Sequence, residues 1–135
     1  MSFMFVIAAC ATKPAVEEES IITFEQLIEN PEKYSSVEIE IEGYFYQGFE
    51  TIVLSERLEL SGFAESHLVP KSVMIWIEGG IPREIYDNLS QQTMMGPMEQ
   101  YGKVRISGVF EYGEKYGHLG QFEYNLKPIS VQTNN

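Results

Sequence analysis

The chain has one cysteine, Cys10, among its 135 residues, which excludes an internal disulfide. Lysine and arginine are also scarce, at nine together against 20 aspartates and glutamates, for a net charge of −11. Such a surface repels phosphate backbones, so a general nucleic-acid binder is disfavoured. No apolar run reaches the ~18–20 residues of a membrane-spanning helix. Two histidines about fifty positions apart, with no cysteine nearby, give no metal-site spacing, and no cofactor is expected. Nucleophile-elbow, phosphate-loop and dinucleotide fingerprints are all missing. What remains is ordinary for one globular domain: 44% apolar and 21% charged residues.

The apolar content starts early. Met1 to Ala9 carry no charge, and Ala11 to Ser20 (ATKPAVEEES) are small, polar and acidic. The first block reads as the core of a secretory signal and the second as a flexible tether. Ile7-Ala8-Ala9-Cys10 resembles the lipobox of bacterial lipoproteins. That resemblance implies cleavage before Cys10, lipidation of its sulfur and mooring on a membrane. With Ala11 rather than Asp after the cysteine, it implies the outer membrane, facing the periplasm. Lys13, the first basic residue, follows the cysteine, whereas signals open on Lys or Arg.

The domain is expected over residues 21–131, with a tail at 132–135. Thr23 and Gln26 have capping-box spacing ahead of a short helix bearing Phe24, Leu27 and Ile28, which Asn30-Pro31 stops. Val37, Ile39 and Ile41 alternate with Glu38, Glu40 and Glu42, so one face of the first strand is buried and the glutamate face is wet. Further strands are expected at residues 51–55, 72–77, 103–112 and 121–126. The stretch 56–70 reads as an irregular connection, 83–89 as a short helix and 90–99 as a loop. Pro128 is expected at an edge or beyond it. Ile41-Glu42-Gly43-Tyr44-Phe45 and Ile106-Ser107-Gly108-Val109-Phe110 echo each other, each strand interrupted by a glycine that suits a barrel corner.

Three strands, a helix and two strands resemble the OB-fold, so the expected class is mainly β: a five-stranded OB-like Greek-key barrel with a short N-terminal helix and another between strands three and four. Leu27-Ile28-x-Asn30-Pro31-x-x-Tyr34, Ile75-Trp76 and Gly117-His118-Leu119-Gly120, in that order, are similar to small bacterial envelope lipoproteins with an OB-like domain. That likeness supplies no catalytic residues.

Tyr46, Trp76, Tyr112, Tyr116 and His118 are the candidate binding residues, because aromatic rings on barrel strands can stack on a ligand. His118, flanked by glycines, equally suits a ring bonded to a backbone carbonyl. His67 reads as solvated in a polar loop beside Glu65. The expected role is a non-catalytic, lipid-anchored envelope module that recognises a protein, a basic one suiting the acidic surface, or another envelope component, as an inhibitor or immunity-type lipoprotein would. The alternatives are an oligonucleotide- or oligosaccharide-binding module, by fold analogy, and a small hydrolase using His118.

Overall fold

A computed structural model describes residues 21–94 and 96–133. Cys10 and the expected signal segment and tether lie outside the described residues. The protein is mainly β. Its strands are β1 (Ile21–Ile22), β2 (Val37–Gly48), β3 (Thr51–Leu60), β4 (Leu68–Ile77), β5 (Ser90–Gln92), β6 (Glu99–Tyr116) and β7 (Phe122–Thr133). Three short helices accompany them: α1 (Phe24–Glu29), α2 (Pro31–Tyr34) and α3 (Arg83–Tyr86). A 3₁₀ turn covers His118–Gly120.

The capping box forms as the spacing requires. Gln26 N–H donates to Thr23 Oγ1 at 3.0 Å, and Thr23 N–H donates to Gln26 Oε1 at 2.9 Å. Thr23→Ala is expected to cost about 1 kcal/mol, read as a shift of the urea midpoint with unchanged m-value. The helix it starts drives Phe24 and Leu27 into the core.

The alternation in β2 is realised. Ile39 and Ile41 are buried and Glu38 is exposed, although Val37, at the start of the strand, is open to solvent. Opposite them, Ile106 and Phe110 of β6 are fully buried, with Leu54, Ile75 and Leu126 completing the centre. Each comes from a different strand, so burial of these side chains fixes the register of the ladders.

The sheet has seven strands where five are expected. Pairings run from β2 through β3, β4, β7 and β6 and back to β2, with β1 and β5 as added edge strands. The ring is not a regular barrel, because the parallel β4–β7 contact has only two pairs, Trp76 with Asn125 and Ile77 with Leu126. The strands are also longer than periodicity suggests. Residues 56–60 and 68–71 are a paired hairpin arm rather than an irregular connection, since Arg57, Leu58 and Glu59 pair with Lys71, Pro70 and Val69. Within 90–99, Ser90–Gln92 form β5. The α3 helix ends at Tyr86, short of the expected 89.

β7 passes through Pro128 to Thr133, so residues 132 and 133 belong to the sheet rather than to a tail. Pro128 is tolerated for two reasons. Its strand has left β4 by Leu126, and the β6–β7 register shifts at Ser107/Gly108, opposite the proline.

Candidate functional site

Side chains join four turns of this sheet in two pairs. The β2–β3 turn holds Phe49 and Glu50, the β3–β4 turn spans residues 61–67, the β5–β6 turn holds Met94 and Met98, and the β6–β7 turn holds His118 and Leu119. The β3–β4 and β5–β6 turns are joined through Glu99, the first residue of β6.

Glu99 Oε1 accepts from His67 Nε2 at 2.8 Å and from Gln92 Nε2 at 2.9 Å. The Tyr46 hydroxyl also donates to this carboxylate. His67 Nδ1 lies 2.9 Å from Ser61 Oγ, which in turn accepts from Phe63 N–H at 3.1 Å. Gln92 imitates a strand edge: its amide accepts from Leu68 N–H at 3.0 Å and donates to Leu68 C=O at 2.7 Å. The hairpin arm is thereby tied to β5 and β6. Glu99 also lies against Gly48, where a Cβ would stand 3.5 Å from Glu99 Cγ. Two residues beyond Gly48, Glu50 Oε1 lies 3.1 Å from His118 Nε2, joining the last turn to the first.

A carboxylate only accepts, so His67 carries a proton on Nε2; when the ring is neutral, Nδ1 is an acceptor to which Ser61 O–H donates. Burial alone would raise the Glu99 carboxyl, but the hydrogen bonds from Tyr46, His67 and Gln92 outweigh it and hold the group below its ordinary value. Burial, then the bond to Glu99, pushes the Tyr46 phenol well above its ordinary value of 10.0.

The linkage has opposite signs at the two partners. Glu99 contributes stability above the ordinary carboxylate range, and that contribution is lost as pH falls toward its depressed value. Tyr46 contributes stability below pH 10, and that contribution is lost as pH rises past it. Tyr46→Phe is therefore expected to flatten the alkaline arm of the stability–pH curve and, because the hydroxyl is one of the donors that hold Glu99 low, to make the acid arm shallower as well. Denaturant midpoints along both arms check this.

Of the nine large apolar side chains exposed among the described residues, six (Phe49, Leu60, Phe63, Met94, Met98 and Leu119) lie on these turns or at their margins. Phe63 is 80% and Leu119 77% exposed. No Lys or Arg occurs in residues 49–50, 61–67, 93–98 or 117–121. The result is an apolar, acid-bearing crown on a rigid base.

The expected site residues distribute unevenly around it. Tyr46 is buried beneath the crown as a partner of Glu99, so its ring is not a stacking surface. Trp76 is half-buried against Phe122, with ring centroids 5.2 Å apart. It is roofed by Gly117, where a Cβ would come within 2.6 Å of the indole and φ is +75°. Only glycine lets the β6–β7 turn lie this close to Trp76 while carrying His118 to Glu50. Tyr116 sits opposite Phe122 in the ladder. Burial, then the charge of Glu111, raises the Tyr116 phenol. Tyr112 is apart from the crown, stacked on Tyr124 at 5.7 Å, with its N–H on Ser35 Oγ at 3.3 Å.

Two histidine readings are corrected. His118 faces a carboxylate rather than a backbone carbonyl. His67 is 5% exposed and not solvated, because the loop around it folds onto Glu99. Ser61, His67, Gln92 and Glu99 escape sequence reasoning, since no local pattern pairs residues 32 apart. Among the described residues, no group of three or more potential ligands could hold a metal ion, and none of the helices is long and apolar enough to cross a membrane. The chain matches none of the protein-family models, curated proteins or solved structures with which it was compared.

Proposed function

We propose that this protein is an OB-like Greek-key barrel presented from the bacterial envelope by a lipid on Cys10, and that its crown docks non-covalently onto a partner protein with a basic rim. The OB-like reading is supported by the ring β2-β3-β4-β7-β6, with four antiparallel contacts and one parallel one. The single observation that carries the docking is the concentration of exposed Phe, Leu and Met on four turns tied in two pairs through Glu99 and Glu50.

Three further features support it. Methionines adapt to irregular partner surfaces. Leu119 holds φ +59° with its side chain exposed, a strained conformation for a bulky residue that no burial of its own repays. The absence of Lys and Arg from the turns, on a chain of net charge −11, favours a basic partner over nucleic acid. The chemistry for oligonucleotides is accordingly poor here, and His118 is engaged by Glu50 rather than poised beside a nucleophile.

A photo-crosslinking residue placed at Phe63 or Leu119 in the full-length protein in cells tests the docking, with Ile129, exposed on β7, as the control. The expected result is one shared adduct from both crown positions and none from Ile129. Equal adducts from all three, or none, overturn the reading. With that partner in hand, Phe63→Asp is expected to weaken binding at least tenfold, the size of an interface hot spot of ~1.4 kcal/mol or more, and to leave Tm unchanged. The anchor has its own test. Labelling cells with a fatty-acid analogue should mark the wild type and not Cys10→Ala, and equal labelling ends the lipoprotein assignment.

A further inference from the structure

A second capacity follows from the chemistry inside the crown, independent of the docking proposed above. We propose that Ser61 is an activated nucleophile, with His67 as its general base and Glu99 positioning the imidazole, and that the site accepts esters with an apolar acyl group. Ser61 Oγ, His67 and Glu99 form an unbroken relay at 2.9 and 2.8 Å. In the neutral ring with its proton on Nε2, Nδ1 can receive the Ser61 proton. His67 is 95% shielded, and Gln92 and Tyr46 fix the carboxylate that orients it. The relay enters the ring by the opposite nitrogens from a serine-protease triad, which leaves the roles unchanged.

Access and substrate class come from the neighbours. Ser61 is half-buried, while Leu60 and Phe63 beside it are 68% and 80% exposed. Gly62 has open space where a Cβ would be. Phe63 N–H donates to Oγ and fixes its position. Leu60 and Phe63 offer an apolar wall to an acyl chain.

The step balances with water as co-reactant. Ser61 Oγ forms a bond to the ester carbonyl carbon as its proton passes to His67 Nδ1. The tetrahedral intermediate collapses, the carbon–alkoxy bond breaks, and the alcohol leaves with that proton. Water then gives a proton to Nδ1 and attacks the acyl carbon. Ser61 recovers its proton and the carboxylic acid departs.

The test uses the full-length protein with a fluorophosphonate probe and with p-nitrophenyl butyrate. Peptide mass spectrometry should place the phosphonyl adduct on Ser61, forming at least ten times faster in the folded protein than in urea. Ester turnover should be lost in Ser61→Ala. His67→Gln, checked for fold by circular dichroism, should slow the adduct at least tenfold; if that variant fails to fold, the comparison of folded wild type with urea decides alone. An adduct absent from Ser61, equal in folded and unfolded protein, or equally fast in a folded His67→Gln overturns the proposal. The crosslinking experiment reads the docking separately, so either can fail without the other.

Discussion

Glu99→Ala is expected to lower the stability of the fold by about 3 kcal/mol, the scale of leaving buried donors without an acceptor. Three donors converge on that carboxylate, from His67, Gln92 and Tyr46. Two of them belong to residues only 5% and 6% exposed, so water reaches them poorly. Glu99 itself keeps 17% of its side chain open, and water entering its place limits the loss to less than three full penalties. Glu99→Gln retains an acceptor oxygen and is expected to cost about 1 kcal/mol. Urea unfolding measures both, and for a domain of this size the alanine variant should also melt roughly 10 °C lower. The loss should be local in character as well. Amides of residues 61–67 should exchange faster in Glu99→Ala, because the hairpin arm then lacks its tie to β6. A loss below about 0.5 kcal/mol for alanine, the lower edge of one net hydrogen bond, would contradict the role given to this residue.

The second large effect is at Gly108. A Cβ there would stand 2.3 Å from Lys127 C=O and 2.9 Å from Pro128 Cα, and both neighbours are backbone. No rotamer change relieves that overlap, so β6 and β7 must separate at the point where their register already shifts. Gly108→Ala is expected to cost about 3 kcal/mol, with Gly96→Ala as the control, since a Cβ at Gly96 would meet nothing within 4 Å. Equal stability for the two variants would show that the strands do not approach this closely.

Much of this fold is legible from local chemistry. Thr23 and Gln26 cap α1 because the spacing places each side chain on the other's N–H. Ile39 and Ile41 are buried because alternation with glutamate leaves β2 one apolar face. Gly43 and Gly108, whose echo suggests barrel corners, stand where other parts of the chain come too near for a Cβ. The hairpin arm is not legible, because Glu56, Arg57, Glu59 and Lys71 give it the composition of a surface loop although its backbone is paired. β7 also runs on past Pro128, since what admits proline there is a register shift opposite Gly108 that composition does not reveal.

At the site, polar side chains rather than aromatic rings join the turns. Trp76 and His118 do reach the same region, through Gly117 and Glu50. Tyr46 matters as a donor to Glu99 rather than as a ring. His67 and Glu99 are distant in sequence, and only the folding back of the arm brings them together.

The state of the His67 ring is therefore the most direct test of the crown. Long-range proton–nitrogen NMR should show a proton on Nε2 that is slow to exchange. A ring whose only proton is on Nδ1, or one whose Nε2–H exchanges as fast as a free imidazole's, would mean that Glu99 does not tie the hairpin arm to β6.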